Sequence, residues 1–552
     1  MNPTSASAAE LFALRNQFGA PFTQQKINLL NQMSRQLPAR GSDIILYHEA
    51  LLFMLAYPES KELYTLTAQA LTALENRAQQ HLPTQNKLFN TGITGSHICG
   101  SFGFQLVQWL RQNYSREEIV MDAILAEDSQ ICYILSAVMP QVESEIMQDA
   151  NATWQQWLQQ VGTPEDDVLD KFIAIFSYSD IRPEVKDELW TALGINLIVK
   201  LNRHTALPAS LRGPLYYHKQ IIKKDSLAAH ENEKPEKVKL SETDAQAIID
   251  CARMVLIRHI REIDPVSFSA PEGISYYRLK RGVSVALFAM TDNRRHPVDS
   301  YMGYVAFKNG LPVAYAGSWL LFDSGRIGLS MFPAYRGGES LYMFEQILNL
   351  HRQVYKLKRF SVDPYQIGKE NSDGIKSGAF WLYYKLGFRP IQPWQKQLAE
   401  AEAQKIHTQK GYRSPASVLN RLADSKLQLL LGQGAVNFDA ADLSLVYAAL
   451  VKKYFGGDRR LAETKAFDWL IKLLKLEKYR YHYHFNYVLR NWCVFLIPAQ
   501  QQVKNNKALQ QELKKILLLK ATFPEIYYVF TLQKATQLKK LMIEIVAEYG
   551  AR

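Results

Sequence analysis

The sequence predicts an α+β fold, in which a central mixed sheet with helices is flanked by mainly helical domains on both sides. Residues 1–218, and again the residues beyond 395, carry apolar side chains at three- and four-residue intervals, the spacing of amphipathic helices. Between them, alternating runs rich in aromatic and β-branched residues indicate strands. The length of 552 residues exceeds what one hydrophobic core usually serves, so several domains are expected.

The domain boundaries follow from changes in composition along the chain. A mainly helical domain is predicted over residues 1–218 and a charged linker over residues 219–243, where the chain turns polar. A mixed domain is predicted over residues 244–395. It opens with a helix for which Ser241 or Thr243 is available as the N-cap. Residues 396–552 are predicted to form a basic helical domain.

Within the first domain, Gly and Thr cluster over residues 90–96, ahead of a helix-like segment. This pattern indicates a loop. It lacks the Gly-Lys-Ser/Thr ending of a nucleotide-binding P-loop, so it is not interpreted as one. An ordinary connection and a contact with substrate both remain open.

The central region reads as an antiparallel meander followed by helix, strand, helix and strand. Asn309-Gly310 predicts a hairpin, because a type I′ turn requires positive φ at both central positions. A second turn is predicted at residues 323–325. Beyond Pro333 the period becomes helical; a short strand follows around Phe360, and a further helix is predicted over residues 372–386, ended by Gly387.

The basic charge is concentrated in the last part of the chain. Residues 396–552 hold 25 Lys and Arg against 13 Asp and Glu, an excess equal to the +12 of the whole chain. Such a surface suits an anionic partner such as nucleic acid, anionic lipid or an acidic protein, and it also fits a solvated helical surface without a ligand.

Several classes of protein are disfavoured. The first residues lack the basic start and apolar core of a signal peptide, and no apolar run reaches the roughly 18 residues of a membrane span, so a soluble, cytoplasmic protein is expected. Cys99, Cys132, Cys251 and Cys493 are far apart and read as buried thiols. His482 and His484 would face away from each other on a helix, so no metal site is expected.

The first element that suits chemistry is a strand ending at Phe332, followed by a turn, two glycines and the start of a helix. The free N–H groups of a helix start carry partial positive charge, which suits a phosphate. Gly337 and Gly338 lack side chains and would let a pyrophosphate approach the backbone, while Arg336 adds a full charge. The plainer interpretation is a pair of turn glycines.

The second element is the segment Gly-Ala-Phe-Trp-Leu-Tyr-Tyr-Lys-Leu-Gly-Phe, residues 378–388. Its apolar residues share a helix face, which fits an aromatic core helix. A tyrosine held on such a helix is also a suitable proton donor to a departing thiolate.

Together, in this order and about forty residues apart, the two elements resemble the GNAT superfamily of acyl-CoA N-acyltransferases. That family carries a strand, a loop of the form Arg/Gln-x-x-Gly-x-Gly/Ala, a helix that holds the pyrophosphate, and later a helix ending in Tyr-x-x-x-Gly-Phe. The likeness covers roughly a quarter of the chain. It departs from the family pattern at Glu339 and Leu341, where Gly and a small residue are usual, and at Lys376, where Asn is frequent.

The resemblance implies an acyl-CoA co-substrate, acetyl or longer, and an amine acceptor of unknown identity. It implies that Tyr383 protonates the leaving thiolate and that a backbone N–H of the strand before the loop polarises the thioester carbonyl. Glu339, Asp323 and Asp363 are candidates for the base. If Glu339 is to stay clear of the pyrophosphate, it is expected to turn away from it. The implied cofactor contacts are Leu329, Met331, Tyr335, Arg336, Gly337, Gly338, Glu339, Ser340 and Asn371.

A hypothesis of another class is a non-catalytic GNAT-like module. In that case the loop containing Glu339 no longer holds CoA, and the basic C-terminal helices bind nucleic acid, an anionic membrane or a protein partner.

Overall fold

A computed structural model describes residues 3–38, 40–80, 82–149, 152–222, 233–522 and 524–550. The protein is a mixed α/β structure in which a large mixed sheet is flanked by helices. Part of the predicted charged linker, residues 223–232, lies outside the described residues. Among the described residues, no helix is both long and apolar enough to cross a membrane.

The N-terminal region alternates groups of helices with three short strands. Its elements are α1 Pro3–Leu14, α2 Ala20–Arg35, α3 Gly41–Ala56, α4 Lys61–Gln80, α5 Leu82–Lys87, β1 His97–Ser101, α6 Phe104–Asn113, β2 Ile119–Ile124, α7 Asp128–Val138, α8 Gln141–Ser144, α9 Trp154–Leu158, α10 Val168–Tyr178, α11 Pro183–Leu193, β3 Ile195–Lys200 and α12 Ala209–Arg212.

The three strands of this region were not predicted. Within the described residues they form an antiparallel sheet of order β1-β3-β2, with β3 in the centre. Buried and half-buried residues alternate along β3, as expected for a strand. The prediction of a mainly helical domain did not include them because each strand is only five or six residues long.

The central region contains the large sheet and the helices that cover it. Its elements are β4 Glu236–Val238, α13 Glu242–Arg258, α14 Asp264–Ser267, β5 Ser269–Arg278, β6 Val283–Met290, β7 Ser300–Lys308, β8 Leu311–Leu321, β9 Ser324–Ile327, β10 Ser330–Met331, α15 Ser340–Tyr355, β11 Arg359–Val362, α16 Pro364–Ile367, α17 Ser372–Ser377, α18 Ala379–Lys385, β12 Arg389–Pro390, α19 Pro393–Thr408, α20 Ala416–Leu422 and β13 Leu427–Leu430.

The predicted meander and hairpin are confirmed. Strands β5 to β9 pair antiparallel in chain order, and Asn309 and Gly310 have φ of 47° and 83°, the positive values that a type I′ turn requires. Ser241, one of the two residues proposed as the N-cap of α13, caps this helix through a capping box with Asp244.

The sheet extends beyond both predicted boundaries of the central domain. Within the described residues its order is β12-β13-β11-β9-β8-β7-β6-β5-β4, with β10 paired to β8. Strand β4 falls in the predicted linker, and β13 falls in the region predicted to be wholly helical. Strand β13 inserts between β11 and β12 and pairs antiparallel with both. The boundary at residue 395 is therefore wrong, because a strand that follows it completes the sheet.

The helix predicted over residues 372–386 is also corrected. It is two helices, α17 and α18, interrupted at Gly378, which adopts a left-handed φ of 65°. Residue Gly387, with φ of 94°, follows the second helix as predicted.

The C-terminal region is helical beyond β13, as predicted. Its helices are α21 Ala440–Phe455, α22 Arg459–Leu473, α23 Tyr483–Cys493, α24 Gln500–Asn505, α25 Lys507–Thr522, α26 Glu525–Lys534 and α27 Thr536–Tyr549. They enclose a core of their own that includes Phe467, Trp492 and Leu513, and this core reaches Leu321 and Phe322 at the end of β8.

Helices α1 to α4 do not belong to a separate N-terminal core. Their buried residues, such as Tyr47 and Phe53, form one continuous cluster with the helices and strands of the central region, including Phe344 of α15. The strands β1 to β3, with helices α6 to α11, form a second cluster around Trp190. The predicted boundary at residue 218 therefore does not coincide with a break in the core, and the first helices lie directly over the central domain.

Candidate functional site

The candidate site lies where the chain leaves the parallel part of the large sheet. Strand β9 pairs parallel with β11, from Ser324 opposite Arg359 to Arg326 opposite Ser361. The following strand, β10, pairs with β8 instead. The pairing of this segment with β11 therefore ends at Arg326, and the backbone N–H of Leu329 is left for another partner.

Tyr383 occupies this position. The Leu329 N–H donates a hydrogen bond of 3.2 Å to the Tyr383 hydroxyl oxygen. The tyrosine ring is only 2% exposed and packs edge-on against Phe344 and Phe388, with ring centroids 5.4 Å and 5.7 Å away. Burial raises the pKa of Tyr383 well above its usual value, so the hydroxyl keeps its proton at neutral pH. The structure thus brings together the predicted tyrosine and one of the predicted backbone donors, 54 residues apart in sequence.

The loop after β10 forms the predicted turn, but only some of its residues are exposed to solvent. Arg336 and Gly337 are exposed, and Gly337 has a φ of 85°. Ser340, the first residue of α15, is half-buried, whereas the Tyr335 ring is buried. Met331, on β10, is half-buried. The exposed side of the loop is therefore formed by Arg336 and Gly337, while the Tyr335 side chain is not available to a cofactor.

Gly338 has a different role from the one predicted. A Cβ atom at this position would lie 2.8 Å from the Tyr57 ring and hydroxyl, so the glycine is required by the packing of α3 against the loop. A Cβ atom placed on Gly337 would lie 3.5 Å from the side-chain amide of Asn16 and 3.8 Å from the guanidinium of Arg15. The N-terminal helices thus cover the Gly338 side of the loop, whereas the Gly337 side lies next to the Arg15 guanidinium.

Glu339 corrects the expectation most clearly. Its carboxylate turns away from the exposed face of the loop, as expected, but it is completely buried. It accepts from the buried Lys308 ammonium at 2.7 Å, from the Arg281 guanidinium and from the Ile222 N–H at 3.1 Å, and the His218 Nε2 lies 3.7 Å away. These partners hold the pKa of Glu339 far below its usual value despite burial, which by itself would raise it. Its side chain therefore cannot contact a cofactor at the surface of the loop.

Asn371 is also a structural residue. Its side-chain oxygen accepts from the Gly374 N–H at 3.2 Å as the N-cap of α17, and its amide donates to the Tyr365 carbonyl at 3.0 Å. Because both ends of the amide are used locally, the expectation that Asn371 contacts the cofactor is not supported.

The three carboxylates considered as bases are all paired. Asp323 is 5% exposed; it pairs with Lys539 of α27 and accepts from the Val436 N–H at 3.1 Å. Asp363 lies 3.1 Å from the Arg326 guanidinium. With Glu339 buried among cations, each of these side chains serves a structural ion pair.

A cavity of about 260 Å³ lies next to the site, between the N-terminal helices and the central domain. Its walls are α3, residues 90–94, the end of α13 and residues 332–335 at the end of β10. The loop at residues 90–94 is held by Arg258, whose guanidinium donates to the Gly92 carbonyl at 2.8 Å and to the Thr205 hydroxyl at 2.6 Å. The Gly- and Thr-rich loop is therefore a wall of a cavity as well as a connection.

Three side chains that were not predicted as site residues face this cavity. They are His48 and Glu49 of α3 and His259, which follows α13 and stacks on Phe332 with ring centroids 4.4 Å apart. Burial lowers the pKa of His48 to about 3 and that of His259 to about 4, so both rings are neutral at pH 7. Among the described residues, no group of three or more metal-binding side chains is arranged to hold an ion.

Comparisons with protein-family models, with curated proteins and with solved structures found no match.

Proposed function

We propose that the protein is an acyl-CoA-dependent N-acyltransferase that moves an acyl group to an amine by direct attack. The observation that carries the proposal is the hydrogen bond between the Leu329 N–H and the Tyr383 hydroxyl, between strand β9, which pairs with β11, and strand β10, which pairs with β8. It supports the proposal because the Leu329 N–H suits the thioester carbonyl oxygen as a hydrogen-bond donor. The Tyr383 hydroxyl suits the leaving sulfur as a proton donor.

The hydrogen bond suggests how the two groups act in turn. A thioester carbonyl oxygen that accepts from the Leu329 N–H takes the place of the tyrosine hydroxyl. That hydroxyl is then released to donate its proton to sulfur. The amine nitrogen attacks the polarised carbonyl carbon, the C–N bond forms and the C–S bond breaks. The leaving thiolate takes the Tyr383 proton, the extra proton of the amine nitrogen leaves to water, and the tyrosine regains a proton from water. Since burial keeps Tyr383 protonated, the donor is present whenever the thioester binds.

The donor's phosphates are expected on the exposed side of the loop. Arg336 and Gly337 are exposed there, and the Arg15 guanidinium of the N-terminal helices lies 3.8 Å from the position of a Cβ on Gly337. The start of α15, at Ser340, adds partial positive charge. Glu339, Gly338 and Asn371 take no part in this binding.

Calorimetric titration of the full chain with acetyl-CoA and longer acyl-CoAs tests donor binding. We expect micromolar binding that Arg336→Ala weakens about tenfold, the effect of losing one charge-assisted hydrogen bond. Arg460→Ala is the matched control, because this exposed arginine lies on α22. An absence of heat with every acyl-CoA contradicts the proposal.

The proton-donor role has its own test. Tyr383→Phe is expected to lower kcat about 100-fold while donor binding is retained, since general acid catalysis contributes roughly 10²–10⁴-fold. Tyr384→Phe is the control, because Tyr384 is the next residue on α18 and its ring stacks on Phe380. Unchanged turnover in Tyr383→Phe removes the role.

A second candidate is a non-catalytic module of the same fold. It is favoured by the packing of Gly338 under Tyr57 and by the burial of Glu339 at the start of α15, which both place protein groups where a pyrophosphate would approach. The basic C-terminal helices would then bind nucleic acid, an anionic membrane or a protein. Salt-sensitive binding to nucleic acid or to anionic vesicles, without acyl-CoA binding, would favour this candidate.

A further inference from the structure

Two tyrosine hydroxyls bond the two ends of one peptide group at the candidate site. The carbonyl of Gly328 and the N–H of Leu329 belong to the same amide. The Tyr304 hydroxyl donates to that carbonyl at 2.5 Å, and the Leu329 N–H donates to the Tyr383 hydroxyl oxygen at 3.2 Å. A chain of two hydrogen bonds therefore runs from Tyr304 through this amide to Tyr383.

This amide needs side-chain partners because the sheet does not supply any. Strands β9 and β10 both pair antiparallel with β8, but Gly328 and Leu329, which lie between them, belong to neither pairing among the described residues. A glycine beside the amide also lets the peptide plane rotate more easily than another residue would. The direction of the Leu329 N–H therefore depends on the side chains that bond this amide.

Tyr304 is held firmly enough to fix that direction. It lies on β7 opposite Ala316 of β8, and its side chain passes over this small residue to reach the Gly328 carbonyl. Its ring is completely buried and meets the His351 ring of α15 edge-on, with ring centroids 5.6 Å apart. Burial raises the pKa of Tyr304 well above its usual value, so the hydroxyl keeps the proton that the carbonyl accepts.

The proposed transfer makes this second bond important at one step. When the thioester oxygen accepts from the Leu329 N–H, the Tyr383 hydroxyl leaves the amide, whereas the Tyr304 hydroxyl still holds its carbonyl. A donor on the carbonyl also polarises the amide, which strengthens the hydrogen bond that its N–H donates. An N–H that is already oriented needs no rearrangement when negative charge develops on the thioester oxygen.

We propose that Tyr304 is a positioning residue, which orients and polarises the Leu329 N–H for the thioester oxygen. This role rests on the proposed acyltransferase function, whereas the hold on the amide does not. Tyr304 acts through the peptide group and keeps its own proton throughout the reaction. It contacts neither the thioester nor the amine.

The hold on the amide is tested without any substrate. Tyr304→Phe keeps the ring and removes only the hydroxyl, so hydrogen exchange of the Leu329 amide should become at least tenfold faster, the effect of losing about one hydrogen bond. Tyr276→Phe is the matched control, because Tyr276 is also completely buried in the large sheet and donates to a backbone carbonyl, that of Leu211. An unchanged Leu329 rate in Tyr304→Phe, or an equal rise in both variants, overturns the inference.

Turnover of acetyl-CoA with hydroxylamine, a small amine that needs no acceptor pocket, tests the role in transfer. Tyr304→Phe should lower kcat about tenfold and change KM for acetyl-CoA less than about twofold, because the N–H acts on the developing oxyanion and not on the rest of the donor. Tyr276→Phe should keep the wild-type kcat. Thermal melts of both variants establish that they are folded at the assay temperature.

The two measurements separate the inference from the proposed function. A wild-type kcat in Tyr304→Phe, or an equal loss in both variants, overturns the inference and keeps the acyltransferase. Faster Leu329 exchange in Tyr304→Phe, without any transfer by the wild type above the uncatalysed rate, keeps the hold on the amide and overturns the acyltransferase. Faster exchange together with a lower kcat and an unchanged KM supports both.

Discussion

The buried charge cluster around Glu339 gives the sharpest test of the structure. We expect Glu339→Gln to destabilise the central core by about 3–5 kcal/mol, the usual effect of removing one partner of a buried ion pair. The magnitude follows from the burial of Lys308, which is completely excluded from water and would keep an uncompensated charge. Scanning calorimetry should show the transition of this core lowered by about 6–20 °C, at roughly 2–4 °C per kcal/mol for a unit of 150–250 residues.

The pH dependence of this loss can be predicted as well. Burial lowers the pKa of Lys308 to about 8, and Glu339 raises it against that effect. In Glu339→Gln the lysine pKa therefore falls below 8, and the folded variant binds fewer protons than the folded wild type just below that pH. The stability difference between them must then shrink as pH rises toward 8.

A double variant decides whether the reasoning is right. Glu339→Gln with Lys308→Met removes both charges of the pair, so it should recover most of the loss. Glu62→Gln, on the exposed face of α4, serves as the control and should stay within about 0.5 kcal/mol of wild type. A single Glu339→Gln variant as stable as wild type, or a double variant no better than the single one, would refute the reasoning.

Three further changes test other contacts. Gly338→Ala should lower the free energy of unfolding by about 1–3 kcal/mol, because the added Cβ would lie 2.8 Å from the Tyr57 ring. If thermal melting shows that Tyr57→Leu restores the stability of Gly338→Ala, the Tyr57 ring is the cause. Asp323→Asn removes the ion pair with Lys539, so limited proteolysis should cut between β13 and α21 faster than in wild type; unchanged cutting would mean that the apolar contacts alone hold the C-terminal helices. Arg258→Met should raise hydrogen exchange of residues 90–95 at least tenfold, and equal protection would contradict its role in holding that loop.

The parts of the fold that the sequence predicted well are those with strong local signals. Asn309-Gly310 indicated a type I′ turn, so the hairpin was found, and Ser241 was one of the two caps proposed for α13. Tyr383 was singled out because its spacing from Gly387 and Phe388 resembles the helix ending of the GNAT superfamily, and its catalytic role stays a prediction. Its contact with Leu329 then depended only on elements that had been predicted in the right order.

The failures at Glu339 and at the cavity have one physical cause, which is contact between segments far apart in sequence. Nothing near Glu339 indicates that Lys308, Arg281 and His218 converge on it, so its burial could not be foreseen. His48 and His259 likewise share a cavity only because α3 packs beside the end of α13.

Short elements were missed for a different reason. Strand β13 is only four residues long, so its apolar and polar residues alternate too briefly to distinguish it from the helices around it. Asn371 was assigned to the cofactor, but it caps the short helix α17.

The position of β13 also bears on how the protein is made. Since this strand inserts between β11 and β12, the large sheet is incomplete until Leu430 has left the ribosome, although helices α1 to α4, which pack against that sheet, are synthesised by residue 80. At roughly 5–20 residues per second, these helices wait on the order of 20–70 s with an apolar face uncovered. The nascent chain is thus expected to depend on chaperones, and a chain truncated at residue 395 should aggregate on synthesis.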